Sequence, residues 1–238
     1  FVVSIMPCTA KKFEVGRDNQ AAAGVPDVDV ALTTRELARM IERAGLNFTL
    51  LPDEAFDNPL GESTGAGVIF GATGGVMEAA LRTAYEYMTG DKAPAVLYRL
   101  EPVRGMEAVK EASLQVGDRT VNVAVVYGTA SLRRFLERMK DGEKQYHFVE
   151  VMTCPGGCIG GGGQPKDKKF EGDALRQKRI DSLYKRDSAM KVRLSHENQE
   201  IKALYSEFYG KPLSELAEKM LHTSYTDKRG QLDGEGID

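Results

Sequence analysis

The chain has 238 residues, of which 42% are hydrophobic and 28% are charged, and its formal net charge is −3 at pH 7. This composition can fill a hydrophobic core, and the small net charge argues against nucleic acid or an acidic membrane surface as a partner. No apolar run reaches the roughly 20 residues that a membrane-spanning helix needs, and three cysteines, an odd number, make a poor disulfide framework.

Apolar strands alternate with amphipathic helices through the first two-thirds of the chain. The predicted strands cover residues 1–5, 28–32, 96–100, 113–116, 120–127 and 147–152. The first of them is predicted to be buried. The predicted helices cover residues 34–44, 76–88 and 131–139. Thr33 or Thr34 is expected to cap the first helix, and Gly45 to end it. The alternation predicts an α/β fold, a sheet with helices on both faces.

The composition changes at about residue 166. Segments rich in Lys, Arg and Glu predict three helices, at 173–185, 196–207 and 213–221. We therefore expect a helical C-terminal extension that packs around the α/β part rather than forming its own core. The expected division lies between residues 1–165 and residues 166–238.

The three cysteines lie in two motifs, and each motif follows a predicted strand. Residues 6–12 read Met-Pro-Cys-Thr-Ala-Lys-Lys around Cys8, and residues 154–163 place Cys154 and Cys158 in a glycine-rich run. Thiolates are soft ligands that suit iron–sulfur clusters, zinc and copper(I). Glycine lets the backbone come close to a bulky inorganic group. Since ligand sites in α/β sheets lie beyond the carboxyl ends of strands, we predict that the two motifs meet at one metal site.

A 4Fe–4S cubane takes four cysteine ligands, and this chain supplies three. The fourth ligand is absent, is not a cysteine, or lies outside these residues. The chain opens with Phe1 in an apolar run, so we expect it to be a piece of a longer polypeptide.

Other interpretations compete for the cysteines. Cys8 alone could be a small buried hydrophobe. Lys11 and Lys12, however, lie about one helical turn beyond it, where an ammonium group can donate to an anionic ligand. A zinc site would take its fourth ligand from a histidine, but none of the three has finger spacing, namely His147, His196 and His222.

The glycines at 71–75 could cradle a phosphate at the start of a helix. They match neither the GxGxxG pattern nor the P-loop pattern. We therefore expect this loop to pack closely against the cluster or the sheet.

Two long stretches resemble the second and third signature motifs of the iron-only (FeFe) hydrogenases. They are Met-Pro-Cys-Thr-Ala-Lys-Lys-Phe-Glu at 6–14 and Glu-Val-Met-Thr-Cys-Pro-Gly-Gly-Cys-Ile-Gly-Gly-Gly-Gly-Gln-Pro at 150–165. Residues 28–41 and 67–79 are similar to the catalytic domain of that family, and residues 176–225 to its small-subunit region. The resemblance implies that the α/β part is the C-terminal portion of the H-cluster (large-subunit) domain. The helical extension would be small-subunit-like.

The resemblance also implies ligand roles. Cys8, Cys154 and Cys158 would bind a 4Fe–4S cubane, and Cys158 would bridge to a two-iron subcluster with CO, cyanide and azadithiolate ligands. Lys11 would donate a charge-assisted hydrogen bond to a cyanide.

Four apolar residues would surround the two-iron unit. By the resemblance, Met6 and Met152 would pack beside it, and Pro7 and Phe70 would help to shape its pocket. Apolar side chains exclude water around a redox metal and tune its potential.

The implied activity is the reversible reduction of protons to H₂. Electrons would pass through iron–sulfur clusters to or from ferredoxin or a nicotinamide-linked partner, and hydrogenase maturation proteins would be further partners. We expect a cytoplasmic location, with the periplasm left open. The family's first signature, Thr-Ser-Cys-Cys-Pro, carries the fourth cubane cysteine and a proton-relay cysteine, and it does not occur in this chain. We therefore expect the chain to be inactive alone.

Two alternatives stay open. A relative that assembles iron–sulfur clusters would bind a cubane without hydrogenase activity, and a metal-free interaction fragment would bind none. Lys11, Met6 and Met152 favour the hydrogenase, because only a two-iron unit with diatomic ligands needs that donor and that apolar lining.

Overall fold

The computed structural model describes residues 1–142, 144–166 and 172–227. The strands are β1 (Val3–Met6), β2 (Val30–Thr33), β3 (Val109–Val116), β4 (Arg119–Tyr127) and β5 (Phe148–Met152). The α-helices are α1 (Lys11–Glu14), α2 (Thr34–Arg43), α3 (Gly65–Ile69), α4 (Gly75–Thr89), α5 (Thr129–Lys140), α6 (Asp173–Ala189), α7 (Gln199–Leu204) and α8 (Glu215–Leu221). Within these ranges, no helix combines the length and the apolar character needed to cross a membrane.

The strands of the described residues form two sheets. In the first sheet β1 and β2 run parallel, with Val3 opposite Val30 and Met6 opposite Thr33. The second sheet has the order β3-β4-β5. Its first two strands form an antiparallel hairpin, which turns at Gly117 with φ of +61°, a conformation that glycine adopts readily. β5 lies parallel to β4 on the other side.

Side chains of β4 alternate between two helical layers, as the pleat of a strand requires. Val123 and Val125 pack in the cluster that includes α4, whereas Ala124 and Val126 pack with Phe135 of α5. The α/β class with helices on both faces is therefore confirmed. The single sheet that we expected is divided into two.

Helix α6 joins the helical C-terminal part to the α/β part. Ile180 of α6 is buried with Ala72 and Ile159, and Tyr184 packs against Ile69. The C-terminal part thus shares an apolar core with the rest of the chain. The division between residues 1–165 and 166–238 stays a prediction.

A buried charge cluster, here called the α4–α6 clasp, strengthens this contact. Arg82 of α4 is fully buried and donates to the two carboxylate oxygens of Asp187 in α6 at 3.0 and 2.8 Å. It also donates to Glu78 at 2.6 Å. Arg193 donates to both oxygens of Asp187, and Arg104 to both oxygens of Glu78. Each buried carboxylate therefore accepts hydrogen bonds from two guanidinium groups.

Two predicted strands are wrong in part or in full. The first strand begins at Val3 and is not buried: Phe1 is 96% exposed. In the described part of the chain β1 pairs only with β2, so both outer edges of this two-stranded sheet are unpaired. Residues 96–100 form no strand but lie in and after the 3-10 turn Ala95–Tyr98. Leu97 and Leu100 are both buried, and their spacing of three matches the period of a 3-10 turn.

The predicted helix at 196–207 begins later than expected. The side chain of Asn198 accepts a hydrogen bond from the N–H of Ile201 at 3.1 Å, which starts α7 at Gln199. The helix then changes to a π-helical turn, Tyr205–Tyr209.

Candidate metal centre

The cysteines lie at the carboxyl ends of strands in both sheets. Cys8 is two residues beyond the end of β1, and Cys154 is two residues beyond the end of β5. Cys158 opens the 3-10 turn Cys158–Gly160. All three thiols are free and half-buried. This is the edge at which ligand sites of α/β folds occur.

Glycines bring the two cysteine motifs into contact. The N–H of Gly163 donates to the carbonyl of Pro7 at 2.9 Å. A Cβ atom at Gly161 would lie 2.1 Å from the same carbonyl oxygen, so only glycine permits this approach. The segment after Cys158 therefore lies directly against the residue that precedes Cys8.

The three thiols also influence one another. Burial and the neighbouring Cys8 raise the pKa of Cys154, against a smaller opposing effect of Arg176. Burial, then Cys8 and Cys154, raise the pKa of the Cys158 thiol, and the ammonium group of Lys11 opposes them. Ligation to a metal displaces the thiol protons. The three thiols are therefore close enough to affect one another's pKa, as ligands of a single cluster must be.

The chemistry of the three thiols is that of soft metal ligands. Across residues 1–142, 144–166 and 172–227, no three His, Cys, Asp or Glu side chains lie close enough to hold one metal ion. The thiolates of a cubane are roughly 6–7 Å apart, which is wider than the spacing around one zinc ion. Three thiolates could supply three of the four ligands of a cubane, and the chain has no fourth cysteine.

The histidines considered for zinc have other partners. His147 accepts from a backbone N–H, His196 pairs with a glutamate of α4, and His222 pairs with a glutamate of α8. The three histidines lie in different parts of the fold and are bound to other groups. The structure therefore gives no support to a zinc site with a histidine as fourth ligand.

Lys11 lies on α1, the short helix that follows the first cysteine motif. Its ammonium group forms an ion pair with Glu14, and it is close enough to Cys158 to affect that thiol. Lys12 instead forms an ion pair with Glu36 at 2.9 Å. Lys11 is therefore the lysine whose charge acts on a cysteine thiol here.

The four apolar residues predicted at the site lie at the ends of elements. Met6 ends β1, Met152 ends β5, and Phe70 follows the last residue of α3. Met6, Pro7 and Met152 are half-buried, whereas Phe70 is 46% exposed. The described residues therefore close the site only in part.

The glycine-rich loop between α3 and α4 packs against the second cysteine motif. The N–H of Thr73 donates to the carbonyl of Gly156, and the N–H of Ile159 donates to the carbonyl of Gly71, both at 3.0 Å. The prediction that this loop packs closely is confirmed.

A buried carboxylate occupies the start of α4, where a phosphate would bind. Glu150 accepts from the N–H of Gly74 at 2.6 Å and from the N–H of Met77 at 2.7 Å. A phosphate would need these same N–H groups. The alternative of a phosphate cradle is therefore not supported.

Our sequence interpretation missed the charged residues that hold the cysteine loop. Arg179 of α6 donates to the carbonyls of Ile159 and Pro165 at 2.9 and 2.7 Å, and Glu150 and Lys110 are buried beside the loop between α3 and α4. The available signal was a charged side chain inside an apolar strand, as in Phe-Val-Glu-Val-Met at 148–152.

Two family models match this chain. The model for the C-terminal domain of the iron only hydrogenase large subunit matches residues 1–162, and the model for the iron hydrogenase small subunit matches residues 173–228.

Curated relatives agree with these matches. The chain is 52% identical to the NADP-reducing hydrogenase subunit HndD of Solidesulfovibrio fructosivorans and 43% identical to iron hydrogenase 1 of Clostridium pasteurianum. Each match covers 94% of this chain and 37% or 39% of the relative. The cytosolic iron-sulfur assembly component 3 of Mus musculus is 31% identical over 94% of this chain and 47% of its own length.

An FeFe hydrogenase structure from Chlamydomonas reinhardtii is 39% identical to this chain, with a TM-score of 0.75. The match covers 94% of this chain and 62% of that one. Of the three curated relatives named above, by contrast, the chain spans less than half the length.

Proposed function

This chain belongs to the iron-only hydrogenase family, and from that membership we propose that it forms the C-terminal part of an FeFe hydrogenase. The proposed reaction is the reversible reduction of protons to H₂. The observation that carries the proposal is the contact between the two cysteine motifs, where Gly161 and Gly163 lie against the carbonyl of Pro7. This contact and the half-buried state of all three thiols support one shared site for cysteines that are distant in the sequence.

We propose that Cys8, Cys154 and Cys158 hold three corners of a 4Fe–4S cubane, with Cys158 also bridging to a two-iron subcluster. When bound, the H-cluster supplies the electron transfer and the site at which protons and electrons combine. The fourth cubane ligand and a proton-relay cysteine would come from the upstream signature motif. The chain alone should therefore be inactive.

Lys11 is proposed to bind and orient the two-iron unit. Its ammonium group would exchange the ion pair with Glu14 for a cyanide ligand, because an anionic acceptor forms a charge-assisted hydrogen bond. Met6, Met152, Pro7 and Phe70 would exclude water from the same place.

The proposed cofactors are the cubane and the two-iron unit with CO, cyanide and azadithiolate ligands. Ferredoxin or a nicotinamide-linked protein would exchange electrons with the enzyme, and maturation proteins would insert the two-iron unit. The name of the NADP-reducing relative supports the nicotinamide-linked choice. The cytoplasmic location stays a prediction.

The second candidate is an iron–sulfur assembly factor, which the 31% identical relative favours. Such a protein would bind the cubane and no two-iron unit. The higher identity to hydrogenases, 52% and 43%, favours the enzyme, as do Lys11, Met6 and Met152 near the cysteines.

Infrared spectroscopy of the matured full-length form, in which the upstream motif precedes this chain, tests the proposal. We expect CO and cyanide bands together with H₂ turnover. The substitution Cys158→Ser replaces a soft ligand by a hard one and should abolish both, while the fold measured by circular dichroism survives. A protein that binds a cubane but shows no CO or cyanide bands would be the assembly factor. H₂ turnover at the normal rate in Cys158→Ser would contradict the bridging role.

A further inference from the structure

Two buried charges of opposite sign lie in one row of the three-stranded sheet. Lys110 of β3 and Glu150 of β5 are both partners of Val125 in the central strand. Directly opposed residues project from the same face of a sheet, which here is the face that α4 covers. Lys110 is 3% exposed and Glu150 is 5% exposed. Charged side chains are almost never buried to this degree without a specific arrangement around them.

Both side chains hold the loop between α3 and α4. Glu150 accepts hydrogen bonds from the N–H groups of Gly74 and Met77 at 2.6 and 2.7 Å. The ammonium group of Lys110 donates to the carbonyl of Thr73 at 3.3 Å and to the carbonyl of Gly105 at 3.0 Å. Within the loop itself, the carboxylate of Glu150 therefore holds the N–H of Gly74 and the ammonium group of Lys110 holds the carbonyl of Thr73. The other two bonds fix the first turn of α4 and the backbone at Gly105.

The other side of the same loop holds the segment that carries Cys158. Thr73, whose carbonyl binds Lys110, uses its N–H to bind the carbonyl of Gly156 at 3.0 Å. Gly71 accepts from the N–H of Ile159 at 3.0 Å. The loop thus grips the chain on both sides of Cys158. Two hydrogen bonds through Thr73 connect Lys110 to the cysteine segment, and Glu150 holds Gly74, the next residue of the loop.

We propose that Lys110 and Glu150 are positioning residues that hold the cubane-binding loop and balance the charge behind it, and that they thereby set the reduction potential of the cubane. This inference rests on the proposed function. Neither side chain contacts a thiol in the described residues, so they act through the loop and through their electric field. A positive charge favours the reduced, more negative cluster, and a negative charge disfavours it.

The test uses the full-length form produced without maturation proteins, so that it carries the cubane and no two-iron unit. The reduction potential and the EPR spectrum of the cubane are measured in a redox titration at pH 7. Lys110→Met should shift the potential downwards and Glu150→Gln should shift it upwards. The double variant should lie between the two single variants and close to the wild type. Burial lowers the pKa of Lys110 to about 8, with Glu150 acting against this, so the ammonium form still predominates at pH 7. Burial also raises the pKa of Glu150, against the N–H groups of Gly74 and Met77 and the charge of Lys110, which favour the carboxylate.

Lys144 and Glu111 provide the matched control. They form an ion pair at 3.9 Å, and their side chains are partly exposed; Glu111 also pairs with Arg138 at 3.0 Å. Lys144→Met and Glu111→Gln should therefore leave the potential of the cubane unchanged. Shifts of opposite sign in the buried pair alone support the inference. Unchanged potentials in the buried variants, or shifts of the same sign in both, overturn it while the proposed function stands.

Alkylation of Cys158 in the cluster-free chain is a second measurement, and it needs no bound iron. We expect faster reaction with iodoacetamide in Glu150→Gln than in Glu111→Gln, because the loop that grips Cys158 loses an anchor. An unchanged rate in a variant that is folded by circular dichroism overturns the positioning role, even where the variant cannot hold iron. A wild-type protein that takes up no cubane overturns the proposed function and this inference together.

Discussion

The substitution Asp187→Asn should break the α4–α6 clasp and lower the free energy of unfolding by about 3–5 kcal/mol. The carboxylate of Asp187 accepts four hydrogen bonds. Arg82 donates two of them, at 3.0 and 2.8 Å, and Arg193 donates the others, at 3.2 and 2.6 Å. Asparagine keeps one oxygen and places an amide NH₂ group against the guanidinium donors on the other side.

The magnitude follows from two independent considerations. Each charge-assisted hydrogen bond is worth about 1.5–3 kcal/mol, and two of the four at Asp187 are lost. Removing one partner of a buried ion pair typically costs about 3–5 kcal/mol, because the other charge stays buried. The side chain of Asp187 is 1% exposed, so water cannot replace the lost acceptor. The two considerations agree.

Urea and thermal unfolding of the chain measure the effect. For a chain of this size we expect a melting temperature about 6–20 °C lower than that of the wild type. Asp181→Asn is the control, because Asp181 lies on the same helix, is exposed and contacts only Gln177 at 2.8 Å in the described residues. A loss below about 1 kcal/mol in Asp187→Asn, similar to that of a surface pair, would refute the reasoning.

Three further predictions follow from the structure. The hydrogen bonds from the two arginines outweigh the effect of burial and hold the pKa of Asp187 below its ordinary value. The contribution of Asp187 to stability is therefore complete above about pH 4 and is lost as the pH falls through the lowered pKa. The difference in stability between wild type and Asp187→Asn should shrink in unfolding experiments at acid pH. Gly157→Ala should weaken iron binding more than Gly142→Ala, since both positions have positive φ but only a Cβ at Gly157 meets a neighbour, the nitrogen of Thr73 at 2.6 Å; equal iron content in the two variants would contradict this. Lys11→Ala should leave the cubane bound and reduce retention of the two-iron unit by about tenfold or more, as the loss of one charge-assisted bond implies, and unchanged CO and cyanide bands after maturation would show that Lys11 has no such role.

The cysteine motifs could be predicted from the sequence because their information is local. Each cysteine motif follows an apolar strand, and a run of glycines such as the one after Cys158 is unfavourable in a regular strand or helix. The alternation of strands and helices likewise predicts the α/β class. Since these signals lie within a few residues of one another, no knowledge of the tertiary fold is needed to detect them.

The residues behind the site could not be predicted in this way. Asp187 resembles a surface carboxylate in the sequence, because the groups that bury it come from distant segments. The apolar strand around Glu150 indicates that this carboxylate is buried, but not that it binds the N–H groups of Gly74 and Met77. Arg82 lies 105 residues before Asp187, and no local pattern links the two. The wrong strand at 96–100 has a similar cause, since the burial of Leu97 and Leu100 beneath α4 decides their conformation rather than the apolar run itself.

Because the cysteines follow strands of two different sheets, a bound cofactor would affect how firmly the two sheets are held together. Cys8 leaves the β1–β2 sheet, while Cys154 and Cys158 leave the β3-β4-β5 sheet. A group bound by all three thiols would act as a reversible cross-link that closes a loop of more than half of the 238 residues. A ligand bound only by the folded state stabilises that state by mass action. Loss of the cluster would therefore loosen the junction between the two sheets before either sheet itself unfolds.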